Sequence, residues 1–129
     1  MAITVTPTYA NPSNTAKNVT FAEGVSETAG TAETFETVFP ASDETCCIMV
    51  KNGNTATVQV KLLAAKENNG FSEVNHTLAK NGMCVFSIES GFVKNADGKV
   101  CVKVTPNSAT TVKTCGVGVA AVCSGVTTT

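Results

Sequence analysis

The chain has 129 residues, of which 43% are hydrophobic, and this is a usual size and composition for one domain with a substantial core. Its formal net charge is −1, and its nine basic residues are all Lys. Because Arg is the usual bidentate partner of phosphate and guanine, a nearly neutral chain that lacks Arg is not expected to bind nucleic acid. No apolar run is long enough for a membrane-spanning helix, so a membrane partner is not expected either.

The composition favours an all-β fold. With no Trp, one Tyr and six Phe, the core must consist mostly of Val, Ala, Leu, Ile and Cys. Thr and Val are abundant, and these β-branched residues suit a pleated sheet better than a helix. The opening residues MAITVTPTYANP lack the basic start and apolar centre of a secretory signal, so we expect the chain to fold first in a reducing cytosol.

The N-terminal segment, residues 1–18, is expected to be an extended arm rather than core. Ile3 and Val5 alternate with Thr, which is a short strand pattern, but Pro7 and Pro12 prevent a long central strand. The segment from 23 to 33 is rich in Gly, Ala, Ser, Thr and Glu, which predicts an exposed acidic loop. Residues 1–45 hold one Lys and six acidic residues, whereas the remainder holds eight Lys and four acidic residues. This asymmetry suits head-to-tail contact between copies, and random scatter would explain it equally well.

Regular strand patterns begin at Thr34 and are separated by turn signals, which predicts a sandwich or a small barrel. The predicted strands are residues 34–39, 46–51, 55–63, 74–78, 83–88, 100–105 and 111–122. We therefore predict a single β-sandwich domain over residues 19–129, Ig-like or jelly-roll-like, with about eight strands. The arm of residues 1–18 precedes it.

The strongest turn signal is Asn52-Gly53, because Asn and Gly tolerate the positive φ of a tight hairpin. We therefore predict that the strands on either side of it form a β-hairpin. In the second of these strands Val58, Val60 and Leu62 alternate with polar residues, which predicts a sheet with one wet face. Asn81-Gly82 is a second predicted turn.

Six cysteines could carry chemistry, but they contain no C-x-x-C pair, so the usual zinc-ribbon and thioredoxin spacings are absent. They are Cys46, Cys47, Cys84, Cys101, Cys115 and Cys123. The favoured interpretation is that they are small buried hydrophobic residues in a reducing host. Cross-strand disulfides formed late, and a metal site assembled across strands, stay as less favoured alternatives.

No enzyme is predicted. His76 is the only histidine, and its position on the face of Val74 and Leu78 predicts a partly buried structural residue rather than a catalytic base. No phosphate-binding loop is present, because the glycines at 116 and 118 are not followed by the rest of that motif or by a helix. These glycines mark either a bend in the last strand, which is favoured, or a subunit contact. No cofactor is expected.

The order of elements from residue 34 to 121 resembles the small β-sandwich proteins that decorate the heads of tailed bacteriophages, the capsid decoration or cement proteins. The features that carry the resemblance are CCIMVKNGNTATVQVKLL, then LAKNGMCVFSIESGFVKNADGKVCVKV, then a final Val-rich strand. It covers about two thirds of the chain and includes no diagnostic motif, so no functional residue is carried over, and the many cysteines depart from the family pattern.

The resemblance implies a structural virion protein, assembled in the host cytoplasm, that stabilises the capsid from its outer surface. The implied partner is the major capsid protein, with several copies or a homo-oligomer on the shell. Ile3, Val5 and Tyr9 in the arm are the predicted partner contacts. One alternative is a phage tail tube or neck subunit, although the longest predicted hairpin is short for that role. Another is a cell-surface or carbohydrate-binding module, for which Phe71 and Phe92 are the available loop aromatics.

Overall fold

A computed structural model describes residues 2–10, 16, 18–25, 27–38, 46–53, 56–63, 73–87, 98–107 and 109–124. These residues form an all-β sandwich, as the composition predicts. Ten strands are described: β1 (Ile3–Thr4), β2 (Thr8–Ala10), β3 (Ala22–Glu23), β4 (Glu33–Val38), β5 (Cys46–Lys51), β6 (Val58–Leu62), β7 (Val74–Leu78), β8 (Met83–Ser87), β9 (Lys99–Pro106) and β10 (Gly118–Ser124).

The strands divide into two sheets of five. Sheet A has the order β1-β4-β9-β6-β7. Sheet B has the order β2-β10-β5-β8, with β3 also paired to β10. The long strands are antiparallel, whereas β1 pairs with β4 and β2 pairs with β10 in parallel. The strands β7 and β8 therefore end their sheets on the same side of the sandwich.

The core lies between the sheets and follows from strict alternation in the sequence. In β9, Val100, Val102 and Val104 are at most 1% exposed, and the residues between them are half-buried. In β5, Ile48 and Val50 alternate in the same way and face the core from sheet B. Since successive side chains of a strand point to opposite faces, each strand contributes every second residue to the core.

The N-terminal segment is more closely integrated than an arm. β1 pairs with the edge of sheet A and β2 with sheet B, so residues 3–10 pass from one sheet to the other. The Val5 amide donates to the Glu36 carbonyl at 2.8 Å, and the Val5 side chain is 3% exposed and belongs to the core. Within residues 2–10 the segment therefore takes part in both sheets, and its Val5 side chain lies in the core.

The predicted hairpin at Asn52-Gly53 is wrong. β5 belongs to sheet B and pairs with β10 and β8, whereas β6 belongs to sheet A and pairs with β7 and β9. The chain therefore leaves sheet B after β5 and enters sheet A at β6, and this crossing is called an arch here. A tight hairpin turn of the kind favoured by Asn-Gly needs positive φ, and neither Asn52 nor Gly53 has it. The turn at Asn81-Gly82 is present, and it is a second arch, from β7 to β8.

Asn52 joins the two arches. Its side chain is 5% exposed, and its Nδ2 donates to the carbonyls of Ala56, Leu78 and Ala79 at 2.7, 3.3 and 3.1 Å. Its backbone amide donates to the Gly82 carbonyl at 2.9 Å. One buried amide thus supports the connection at this end of the sandwich.

The last strand begins later than predicted, at Gly118. Residues 112–116 instead form a turn, in which the Thr114 amide donates to the Thr111 Oγ1 at 2.9 Å and the Thr111 hydroxyl donates to the Thr114 Oγ1 at 2.7 Å. A Thr side chain that bonds to nearby backbone competes with strand formation. Gly116 has φ 69°, so it marks a bend, as favoured, rather than a strand position. The ends of predicted strands at Phe39 and Ile88 lie outside the described residues.

Candidate interaction surface

The cysteines are spread through the sandwich. Three are buried and three are half-buried: Cys46, Cys115 and Cys123 in the first group, and Cys47, Cys84 and Cys101 in the second. Over the part of the chain that the structure describes, no three His, Cys, Asp or Glu side chains lie close enough together to hold a metal ion. The geometry therefore provides no donor set around which a metal centre could be proposed.

The two half-buried thiols of sheet B are poor nucleophiles. Burial raises the pKa of Cys47 above its ordinary 9.0, and the neighbouring Cys46 raises it further. Burial also raises the pKa of Cys84, against a smaller lowering by a hydrogen bond with the Val50 backbone. Because the thiolate is the reactive form, a raised pKa lowers the reactive fraction of both side chains.

His76 is exposed, so the prediction of a partly buried structural histidine is wrong. It alternates with the outward residues of β7 as expected, and Leu78 on the same side is 3% exposed. β7 is the edge of sheet A, however, and only its Leu78 end is covered. A position that faces inward near a sheet edge can thus remain open to water.

The three predicted partner contacts lie within or against the chain's own sandwich. Val5 is in the core, and Ile3 is half-buried and packs against it. The backbone of Tyr9 pairs with Cys123 in register, and its side chain lies outside the described part. Partner contact by these residues stays a prediction, and for Val5 it requires the segment to leave its own core.

The outer face of sheet A is mainly polar and carries two Lys–Glu pairs, together with Lys103, which lies opposite Lys61. Lys99 lies 3.3 Å from Glu36, and Lys61 lies 3.8 Å from Glu73. Next to Lys61 on the same face, the Gln59 side chain bonds to Asn75 and Thr77 across β6 and β7 at 3.2 and 3.0 Å. Such a surface is well solvated and gives an apolar partner little to bury.

The outer face of sheet B is apolar, in contrast to the outer face of sheet A. Strand registry places its side chains on one surface, called here the apolar face: Cys47, Met49, Met83, Val85, Ala120 and Val122. The remaining outward positions of β5, β8 and β10 include a single charge, Lys51, whose ammonium group lies 4.6 Å from the centre of the Phe21 ring. Its charge thus lies over an aromatic side chain at the margin of the face.

Exposure on the apolar face increases toward β8. Ala120 on β10 is fully buried and Met49 on β5 is half-buried, whereas Met83 and Val85 on β8 are 56% and 61% exposed. A pair of large exposed apolar side chains on adjacent outward positions is an unusual feature for a strand that faces only water. The accessible part of the apolar face is therefore its β8 margin.

β8 is also an open edge. Within the described sheets it pairs with β5 on one side, and no described strand lies on the other. Its sequence MCVFS contains no charge, Pro or Gly, the residues that usually protect an edge from pairing with another chain. An incoming extended segment could therefore gain both backbone hydrogen bonds and apolar contact at this margin.

The apolar face was not predicted, although the sequence carries a signal for it. In β6 and β9 apolar and polar residues alternate, which indicates one wet face. In β5 and β8 the runs CCIMV and MCVF are apolar both at the positions that face the core and at the positions that face outward. Uninterrupted apolar strands are typical of sheets that are covered on both faces.

Comparison with known proteins gives no further assignment. The chain matches no protein-family model, no curated protein and no solved structure. Within the described residues, no helix is long and apolar enough to span a bilayer.

Proposed function

We propose that the chain is a non-enzymatic structural protein of a phage particle, which decorates the capsid and stabilises it by binding the outer surface of the shell. The observation that carries the proposal is the contrast between the two outer faces of the sandwich. One face is mainly polar and carries two Lys–Glu pairs, and the other is apolar and ends, within the described sheets, in an open strand edge. A protein that lies on a larger assembly needs these two faces, one for water and one for its neighbours.

The proposed orientation follows from this contrast. The apolar face and the β8 edge turn toward the major capsid protein, and the outer face of sheet A turns toward solvent. Complete burial of a Val or Met side chain contributes about 1.5–3 kcal/mol. Because Val85 and Met83 are 61% and 56% exposed, their remaining burial would contribute about 1–2 kcal/mol each. A modest contact of this kind becomes effective when many copies bind one shell, especially as a homo-oligomer.

The test is rebinding of the purified protein to particles that have been stripped of it, measured by co-sedimentation. We expect Val85→Lys to reduce the affinity at least about tenfold, which corresponds to about 1.4 kcal/mol. Thr77→Lys is the matched control, since Thr77 is also exposed on an edge strand but lies on the outer face of sheet A. Equal binding by both variants and the wild type would contradict the proposed orientation, and binding by none of the three would contradict the proposed function.

Two other roles make different predictions. A tail tube or neck subunit would occur at far fewer copies than the shell protein, and the hairpin considered for such a ring is an arch between sheets. A cell-surface or carbohydrate-binding module would depend on loop aromatics, and Phe71 and Phe92 lie outside the described residues. No feature of the described residues favours either role over capsid decoration.

A further inference from the structure

One pair of cysteines is in direct register across two neighbouring strands. Cys46 at the start of β5 lies opposite Cys123 near the end of β10, in the antiparallel pairing of these strands. Both side chains face the core, where they are 6% and 0% exposed. They therefore share a face as well as a register position.

This placement satisfies the main geometric condition for a disulfide. Directly opposite residues of an antiparallel pair have Cα atoms about 4.5 or about 5.5 Å apart, depending on the hydrogen-bonding position. Disulfides join Cα atoms about 4.4–6.8 Å apart, so either separation lies within the range that a disulfide spans. We propose that Cys46 and Cys123 are a site of oxidation and form a cross-strand disulfide that fastens β10 to β5.

The other cysteines have different neighbours, which makes the pair specific. Cys47 lies opposite Val122 and Ser87, and it points to the apolar face rather than to the core. Cys84 lies opposite Val50, and Cys101 lies opposite Glu36. Among the strand pairs that the structure describes, Cys46 with Cys123 is the only directly opposed pair of cysteines.

The oxidant is a low-molecular-weight disulfide such as oxidised glutathione. The thiolate of one cysteine attacks one sulfur of that disulfide, so a mixed disulfide forms and one small thiolate leaves. The thiolate of the second cysteine then attacks the protein sulfur of the mixed disulfide and expels the second small thiolate. The protein loses two electrons and two protons, and the oxidant takes them up as two small thiols.

The position of the pair explains how a buried site could react. Cys46 is the first residue of β5, and Cys123 is the last but one residue of β10. Strand ends open locally more often than strand centres, so brief fraying at this end of sheet B would expose both thiols together. The bond would close a long loop, residues 46–123. A long loop greatly lowers the conformational entropy of the unfolded chain and so stabilises the folded state. This proposal does not depend on the proposed function.

The test is oxidation of the folded full-length chain with a mixture of oxidised and reduced glutathione, followed by alkylation and digestion with trypsin without reduction. Cleavage after Lys places Cys46 and Cys47 in fragment 18–51, and Cys115 and Cys123 in fragment 114–129. We expect these two fragments to be linked, with fragment-ion spectra that assign the bond to Cys46 and Cys123. The Tm of the linked protein should rise by about 10 °C.

Two variants provide controls. Cys47→Ser should keep the link and the rise in Tm, and Cys46→Ala should lose both. If Cys46→Ala does not fold, the spectra of the wild type and of Cys47→Ser decide the question. Glutathione attached at Cys47 without a link between the two fragments would overturn the proposal, as would a link through Cys47 or Cys115. A linked protein whose Tm does not rise would also overturn it, because the bond would then distort the sandwich.

Discussion

Replacing Asn52 with Ala is expected to destabilise the sandwich by about 2–4 kcal/mol. The Asn52 amide nitrogen lies within hydrogen-bonding distance of the carbonyls of Ala56, Leu78 and Ala79, at 2.7, 3.3 and 3.1 Å. An amide NH₂ has two hydrogens, so two full hydrogen bonds are lost on truncation. Each buried acceptor left without a donor costs about 1–3 kcal/mol, or about 2–6 kcal/mol for two. Truncation also removes the buried Asn52 Oδ1, which has no hydrogen-bond partner among the described residues, and this recovers about 1–2 kcal/mol and leaves about 2–4 kcal/mol.

The measurement is the free energy of unfolding from urea denaturation, with Asn75→Ala as the matched control. Asn75 is exposed, and its side chain bonds to Gln59 on the outer face of sheet A, so its loss should cost less than about 0.5 kcal/mol. Equal stability changes for the two variants would refute the argument that the buried amide of Asn52 joins the arches.

Asn52→Asp adds a pH dependence of known sign. At this position an ionised carboxylate would face carbonyl oxygens in a buried site, so we expect its folded-state pKa to lie above the unfolded value of about 3.9. A raised folded-state pKa contributes stability below the unfolded pKa, and this contribution is lost as pH rises through the folded value. Relative to the wild type at each pH, the variant should therefore be least stable at neutral pH. A difference that does not change between pH 3 and pH 7 would contradict this sign.

Three further predictions concern the core and the thiols. Gly53→Ala should lower the free energy of unfolding, measured by urea denaturation, by about 1–3 kcal/mol, because an added Cβ would lie 2.5 Å from the backbone carbonyl oxygen of Cys115. An unchanged free energy of unfolding would contradict this close approach. Thr37→Val should raise the free energy of unfolding by about 1 kcal/mol, because the buried Thr37 hydroxyl has no hydrogen-bond partner among the described residues; a loss of stability would show that the hydroxyl is satisfied. Burial raises the pKa of Cys47 and Cys84 in the folded state, so their contribution to stability should be constant below about pH 8.5 and should fall above it as the unfolded thiols ionise. A rise in the denaturation midpoint from pH 8 to pH 10 would contradict this sign.

The strands are predicted best where turn signals mark both ends. The bounds of β5 and β7 agree with prediction, and β9 extends by one residue beyond each predicted end. In β9 the period of two also decides which side chains enter the core, and no distant residue is needed to establish it.

The connections are predicted poorly, because distant contacts decide them. Asn52-Gly53 has the local sequence of a hairpin, but the carbonyls that hold Asn52 belong to residues 26 and 27 positions away along the chain. Gly53 is required by the nearby backbone of Cys115, rather than by a positive φ. Local turn chemistry therefore identifies that the chain bends but not which sheet it enters.

The candidate site was missed for a related reason. Each strand of sheet B is recognisable alone, but only the registry of β5, β8 and β10 shows that Met49 lies beside Val85 and Ala120 on one surface. The sequence predicted partner contacts in the N-terminal segment instead, where the structure buries Val5 in the core. A surface that is assembled from three strands distant in sequence becomes visible once their pairing is known.

The most direct test of the central claim is quantitative mass spectrometry of density-purified particles from cells that carry this gene. Capsid decoration predicts that the chain is present at a copy number comparable to that of the main shell protein. A copy number far below the shell protein would contradict decoration and favour a tail tube or neck subunit. Absence from the particles would contradict any structural role in the virion.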